Sequence, residues 1–496
     1  MKTNSPTAIH PEAAGMALRP DQEPRQAARP GPTRPVAEKR VLLISYWYPP
    51  NMEMGSRTCE QIARYLPLSG WHPLALTIRE ELIEEQYLSR SPRTDQSAPH
   101  TVIRTGRLPH PLDLYRWFKS PASEVRAAVE AVGSRTGREK GRLRELLLAW
   151  LSIPDLYTGW LIPAIVAGWR AIRRDQPQAI MSSGPCWTNH LVAYGLSSLT
   201  GLPWLVHFRD PWATGFMPGA YRFGFEIRVN RWLERATLAR ASRVVCVTEE
   251  HTALLRRTWP DLPAEKFETV LNGYDGADWQ ESDQQLRQTQ TGSSRRSEKF
   301  RVTYAGSLYI GRNPLPVLRA LRKLIEAGEV RRELVEFNLI GWCETSQGQS
   351  IADLIAETGL QDCVNLTGPL PHAVTLRHLA QAELLLLLAE GLEIQIPGKT
   401  FEYLRAGRPI LALTSEGAVS RLIERTQSGW AVDPADESGI LLALRECYQQ
   451  WMTGASARIP DPAMVATYDR RLTTSQLGKI LDELTAQPAL QTALST

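Results

Sequence analysis

The chain has 496 residues, 43% of them hydrophobic and 22% charged, with a formal net charge of +4. That length suits two or three globular domains, and so small a charge gives no argument for nucleic acid as a partner. Six cysteines (Cys59, Cys186, Cys246, Cys343, Cys363 and Cys447) lie far apart with no C-x-x-C pair, which suits a reducing cytoplasm and indicates neither a zinc site nor a disulfide framework.

Residues 1–38 are rich in Pro, Ala and Arg, lack the apolar stretch of a signal peptide, and read as a disordered tail. The folded part opens with "RVLLISYWYPP", an apolar strand running into an aromatic Pro-Pro loop. A helix, "SRTCEQIARYLPLSG", and a second strand, "HPLALT", complete a β-loop-α-β unit, the start of a doubly wound sheet. "QAIMSSG", "LPWLVHFRDPW" and "RVVCVTEEHTALLRR" repeat the style, and "FETVLNGYD" closes a first domain over 39–280. One segment, about 108–174, breaks the rhythm with Trp and Tyr clustered among arginines, as in "LYRWFKS" and "GWLIPAIVAGWRAIRR". It reads as a helical insertion that either lies on an anionic membrane surface or packs its aromatics into the first domain's core.

Residues 281–299 have little apolar character and read as a linker. A second α/β domain follows over 300–460, with strands "FRVTYAGSL", "EFNLIGW", "VNLTGPL", "AELLLLLA" and "RPILALT" separated by helices, so a parallel sheet is expected again. The apolar run Leu384–Ala389 is far too short to span a bilayer and suits a buried parallel strand. The last stretch, 461–496, is helical and expected to pack back on the first domain. Two such domains place a ligand crevice at the C-terminal ends of their strands. The residues there are Tyr46 to Gly55, Ser182 to His190 and Asp210 in the first domain. In the second they are Gly306, Ser307, Gly341, Thr367, Gly368, Glu390 and the stretch "IPGKTFEYLRAGRP". In that stretch Pro397 and Gly398 mark a loop, and Gly407 and Pro409 mark a helix end. Lys399 then stands at a helix start, where free N–H groups favour an anion, and Glu402 lies one turn on along the same face. Taken alone, the stretch fits a surface helix as well as an anion site.

Several motifs in order carry a resemblance over roughly residues 40–460: "YWYPPNMEMGSRTCEQIARYLPLSGW", "GLPWLVHFRDPW", "VLNGYD", "YAGSLYIGRNPLPVLRAL" and "IPGKTFEYLRAGRPILAL". They resemble the GT-B-fold glycosyltransferases of family 4, which are retaining and use nucleotide sugars, in a variant with Pro-Gly-Lys ahead of the glutamate. The resemblance implies an α/β protein of two Rossmann-like, doubly wound parallel-sheet domains facing across a cleft, acceptor on the first and donor on the second. It assigns Lys399 and Arg312 to the donor diphosphate and Glu402 to the ribose hydroxyls. Gly306, Ser307, Gly341, Glu390 and Gly398 line the donor site, with Gly306 letting the backbone approach the phosphates. Pro50, Met54 and Gly55 border the acceptor, and no metal or other cofactor is required. Cations aimed at the departing diphosphate act on charge that grows in the transition state. Asp210 and His190 are the polar residues expected nearest the reaction centre from the acceptor side, Asp210 alternatively pairing with Arg209 or capping its turn.

Three positions depart from the family pattern. The glutamate usually found eight residues ahead of Glu402 is Ile394 here, with Glu393 one place off, so the sugar end is unassigned. Ser307 replaces an arginine common in the donor loop, while Arg312 falls where a lysine is common. Met54 stands for the first of a Gly-Gly pair. The expected function is transfer of a sugar to a saccharide or lipid-linked acceptor in cell-surface polysaccharide synthesis. The expected place is the cytoplasm, with peripheral contact at the inner face of the membrane. A nucleotide-sugar epimerase of the same fold and a non-catalytic binding subunit are the alternatives.

Overall fold

The computed structural model describes residues 38–51, 54–84, 100–110, 142–215, 223–284, 297–308, 312–346, 348–455 and 458–486. The expected tail before residue 38, the insertion's first part (111–141) and most of the linker (285–296) lie outside the described residues.

The first half runs β1 (Lys39–Ile44), α1 (Met54–Tyr65), β2 (Trp71–Ile78), β3 (Thr101–Thr105), α2 (Arg142–Leu151) and α3 (Leu161–Asp175). It continues through β4 (Ala179–Gly184), α4 (Thr188–Thr200), β5 (Trp204–Phe208), α5 (Gly224–Arg240), β6 (Arg243–Cys246), α6 (Glu249–Thr258) and β7 (Phe267–Thr269). Its seven strands form one parallel sheet in the order β3-β2-β1-β4-β5-β6-β7.

The second half runs β8 (Phe300–Ala305), α7 (Leu315–Glu326), β9 (Val335–Ile340), a small ladder of β10 (Thr345–Ser346) and β11 (Gln349–Ser350), α8 (Ile351–Thr358), β12 (Val364–Gly368) and α9 (His372–Gln381). It continues through β13 (Leu384–Leu388), α10 (Lys399–Ala406), β14 (Ile410–Leu413), α11 (Ala418–Thr426), β15 (Gly429–Val432), α12 (Glu437–Thr453), α13 (Pro462–Ala466) and α14 (Arg470–Ala486). Six of its strands form a second parallel sheet, β12-β9-β8-β13-β14-β15.

The leucine run explains itself in this setting. All five residues of β13 are buried. Leu384, Leu386 and Leu388 pack with Val302, Tyr304 and Leu318 on one face, while Leu385 and Leu387 pack with Phe401 and Leu404 on the other. A parallel strand covered on both faces needs apolar side chains at both phases of its two-residue period. Each buried leucine contributes about 1.5–3 kcal/mol of transfer free energy.

The chain returns to the first half at its end. Tyr274 accepts from the Arg470 amide at 2.8 Å and donates to the Tyr468 carbonyl at 3.1 Å, so the outgoing and returning segments lie bonded side by side. Leu477, Ile480, Leu481 and Leu484 of α14 then join Val41, Leu43, Ile62 and Trp71 in one cluster. Asp482 accepts from Lys39 Nζ at 2.7 Å and Trp71 Nε1 at 2.9 Å.

The aromatic insertion does two things. Trp160 is fully buried and meets Tyr46 edge-on, and Tyr157 packs against Tyr46 with centroids 4.4 Å apart. Leu147, Trp150, Ile162, Val166 and Trp169 are instead exposed on α2 and α3. Each sheet reverses its strand order beside its central strand, between β1 and β4 and between β8 and β13. Those two reversals open the crevice where ligands of open α/β sheets bind.

Candidate functional site

At the second reversal the end of β8 turns sharply. Gly306 has φ +137° and Gly341, just after β9, has φ +118°, both in the region that favours glycine. They lie back to back: a Cβ at Gly341 would stand 2.5 Å from the Gly306 carbonyl oxygen. Any side chain there would push the β8 turn into the crevice. The Ser307 carbonyl accepts from the Tyr304 hydroxyl at 2.9 Å, which fixes the turn from below.

Lys399, the first residue of α10, crosses to this turn. Its Nζ lies 3.0 Å from where a Gly306 Cβ would be and 3.8 Å from the centroid of the Tyr304 ring, a cation–π contact. Nζ is buried and has no hydrogen-bond partner. Burial, then the nearby Arg312 guanidinium, hold the Lys399 amine well below its ordinary value, with Cys343 and Glu402 opposing. A buried amine beside a glycine turn, with no hydrogen-bond partner, is a place prepared for an anion, whose charge would favour the protonated form. The helix start itself offers less than the sequence suggested. Thr400 and Phe401 spend their amides on the Pro397 and Gly398 carbonyls, at 2.9 and 3.2 Å.

Glu402 stands one turn along α10. Its Oε1 accepts from His372 Nε2 at 2.9 Å. Burial alone would raise the Glu402 carboxyl, but the hydrogen bond from His372 and the cations Arg57 and Lys399 bring it below its ordinary value. Glu390, exposed at the end of β13, lines a cavity of about 250 Å³ with Asn313, Pro316, Leu388 and Pro434.

The facing edge belongs to the first half. Thr77 Oγ1 and Arg104 Nη2 hold the 45–51 loop by the carbonyls of Tyr46 (2.9 Å) and Pro49 (2.7 Å). Gly55, in the first turn of α1, lies under Arg209, whose guanidinium nitrogens are 2.5 Å from where its Cβ would be. Arg209 is fixed by a bond to the Pro185 carbonyl. Pro50 is half-buried in the loop that leads to α1.

Asp210 projects into the crevice just after β5. Its Oδ1 accepts from Gln395 Nε2, 2.7 Å away on the opposite half. Burial raises the Asp210 carboxyl above its ordinary value, while Arg209 and Gln395 pull the other way. The loop that carries it is anchored from behind by α5. Glu234, fully buried, accepts from the amides of Ala213 and Thr214, each at 3.1 Å, and from Thr214 Oγ1 at 2.5 Å. One turn earlier Asn230 accepts from Trp212 Nε1 at 2.9 Å, and the Trp212 ring stacks flat on Trp187.

His190 does not face the acceptor side. It is wholly buried, ringed by Trp187, Phe208 and Trp212, with Nδ1 2.8 Å from Ser182 Oγ. Burial, with Arg209 adding to it, holds its imidazole down at about 3, so it is a neutral core residue. The first turn of α4 simply points this side chain inward.

The Ile394 carbonyl accepts from Thr248 Oγ1 at 2.6 Å, and that of Glu393 from the Ala418 amide at 2.7 Å. Glu393 and Ile394 border a cavity of about 540 Å³ between the halves, with Glu249, Glu250, Glu416 and Arg421 on its walls. It lies to the β6–β14 side of Lys399. The polar group presented to Asp210 is Gln395. Gln395, His372, Arg57 and Glu234 all escape sequence reasoning; Gln395 alone had a cue, as the neighbour of the position that breaks the pattern. Among the described residues no three His, Cys, Asp or Glu side chains are grouped to hold a metal ion.

Two family models match the chain: "Glycosyl transferase 4-like domain" over residues 55–273 and "Glycosyl transferases group 1" over 299–450. Fold and matches together support one class of protein, a glycosyltransferase of the GT-B fold. Among individual relatives, the amylovoran biosynthesis glycosyltransferase AmsK of Erwinia amylovora is 27% identical over 200 residues, 38% of this chain. The match spans about half of that relative's length, 48%. Among solved structures, sucrose-phosphate synthase of Thermosynechococcus elongatus superposes with TM-score 0.57 and 16% identity, over 90% of this chain and 99% of its own. HepE of Anabaena in complex with UDP-glucose gives TM-score 0.56 and 13% identity, over 90% and 99%. At such identities these structures establish the shared fold.

Proposed function

We propose that this chain is a family 4 enzyme that transfers a sugar, with retention, from a nucleotide sugar to a saccharide or lipid-linked acceptor during cell-surface polysaccharide synthesis. One observation carries the reading: the buried Lys399 amine, without a hydrogen-bond partner, against the Gly306 turn, with Asp210 bonded to Gln395 across the cleft. In this reading Lys399 and Arg312 take the diphosphate and its growing charge, so that no divalent ion is needed. Glu402 takes the ribose hydroxyls. Asp210 and Gln395 border the transferred sugar, and Asp210 orients the acceptor hydroxyl. With retention, the departing phosphate oxygen takes the acceptor proton on the same face, and no strong enzymic base is needed. AmsK, named for amylovoran biosynthesis, and HepE, solved with UDP-glucose, support the polysaccharide context and the nucleotide-sugar donor.

The test is turnover against a panel of nucleotide sugars, with and without membrane extract and EDTA. The expected result is release of nucleoside diphosphate from one donor, faster with extract and undiminished by EDTA. Interconversion of the sugar without release would replace this reading by an epimerase. Tight binding with no turnover in any mixture would replace it by a binding subunit.

A lipid-linked acceptor brings the enzyme to a membrane surface. Among the described residues no helix is long and apolar enough to cross a bilayer. Ile162, Val166 and Trp169 instead form an exposed stripe along α3, at i, i+4 and i+7, with Arg173 stacked on Trp169 and Arg174 beside it. An apolar stripe edged by arginines suits the interface of an anionic bilayer. The Ile162→Glu/Trp169→Glu double variant should bind phosphatidylglycerol vesicles about tenfold more weakly or worse in a sedimentation assay. Its donor hydrolysis in solution should be unchanged. Undiminished vesicle binding would remove this face from the reading.

A further inference from the structure

Arg57 Nη2 on α1 lies 3.2 Å from His372 Nδ1 and 2.5 Å from Asp278 Oδ2. An arginine offers only donors, so His372 Nδ1 carries its lone pair toward Arg57. The ring proton then sits on Nε2, the nitrogen 2.9 Å from Glu402 Oε1. The result is a chain of directed hydrogen bonds: Arg57 to Asp278, Arg57 to His372, His372 to Glu402. It starts on the first half and ends on the carboxylate read above as the ribose ligand.

We propose that His372 is a positioning residue for the nucleotide's ribose. It occupies one carboxylate oxygen of Glu402 and turns the other toward the sugar hydroxyls, and Arg57 sets the tautomer that lets it do so. The inference rests on the assignment of Glu402 to the ribose. A glutamate side chain turns about three torsions, and one charge-assisted hydrogen bond from a half-buried ring restricts that freedom before ligand arrives. His372 and Glu402 are roughly a quarter exposed, at 29% and 26%, which leaves the pair open to a ligand. The same arrangement ties ribose recognition to the approach of the two halves. Arg57 reaches His372 only when α1 lies close to the start of α9.

The experiment compares binding of UDP, GDP and ADP with their 2′-deoxy and 2′,3′-dideoxy forms by calorimetry, in four proteins. The parent should bind one base best and prefer its ribose form. Glu402→Gln should lose most of that preference. His372→Ala should also lose it, weakening the ribose form about tenfold, as for one charge-assisted hydrogen bond, with little effect on the dideoxy form. His372→Gln should keep it, because a glutamine amide can accept from Arg57 and donate to Glu402 at once. Retention of the preference in His372→Ala, with loss in Glu402→Gln, would overturn the inference and leave the ribose assignment standing. No ribose preference in the parent, or a preference unaffected in Glu402→Gln, would overturn both. An equal loss for ribose and dideoxy forms in His372→Ala would show a merely structural role and also overturn it. Thermal unfolding of each variant confirms that folded proteins are compared.

Discussion

Replacing Lys399 by alanine is expected to lower kcat for the preferred donor about 10²–10³-fold, the loss typical of one preorganised group aimed at developing negative charge. The protein should remain folded, because Nζ makes no hydrogen bond and its removal leaves no buried polar group unpaired. A second measurement reads the same group without turnover. The free amine is held well below its ordinary value by burial first and Arg312 next. A diphosphate at the Gly306 turn adds negative charge within reach and raises that value. Between the free and the bound value, binding must therefore take up a proton, and affinity must fall as pH rises through that window. Calorimetry in buffers of different ionisation enthalpy measures the uptake directly. The Lys399→Ala variant should show none of it. Near-parental turnover in that variant would remove Lys399 from the diphosphate.

Asp210→Asn should cut kcat about a hundredfold or more with little change in KM, since the group is proposed to orient the reacting hydroxyl while remote contacts bind the donor. The variant should also be more stable than the parent at neutral pH. The sign follows from burial, which raises the folded-state value of Asp210 above its unfolded one. Such a group contributes stability below the unfolded value and loses it as pH rises through the folded value. Asparagine keeps the shape and can still accept from Gln395, yet never takes the charge. The melting temperatures of parent and variant should therefore diverge as pH is raised from 4 to 8, with the less active protein melting higher. A carboxylate kept at some loss of stability is what a functional site predicts. A variant with full activity, or one that melts lower at neutral pH, would return Asp210 to a structural part.

What the sequence made legible follows from the range of the interactions involved. Parallel strands covered on both faces are written locally, as in the leucines of β13, and alternating strands and helices lead directly to two doubly wound sheets. Strand ends follow from strands, so Gly306, Gly341, Glu390 and Asp210 are marked by the sequence alone. Lys399 and Glu402 were readable from a motif only a few residues long. Partnerships between segments distant in sequence were not. His372 meets Glu402 from 30 residues away, Gln395 meets Asp210 from 185, and Arg57 meets His372 from 315. No local pattern encodes such pairs. His190 shows the opposite failure: a polar residue just past a strand end looks like a site residue, yet one helical turn decides whether it points to solvent or to Trp212. Glu234 was silent for a related reason, since a carboxylate in a helix "WLERA" reads as solvent-facing until the loop it anchors is known.

The return of α14 to the first half bears on how the protein is made. The second half, from β8 to α12, is one uninterrupted stretch and can collapse as soon as it leaves the ribosome. The first half is synthesised earlier but lacks one wall, because Leu477, Ile480, Leu481 and Leu484 belong to its core. At about 5–20 residues per second, its apolar β1 and α1 surfaces wait through the synthesis of the entire second half before α14 covers them. The part made first is the part finished last, and during that interval it is the natural client of a chaperone.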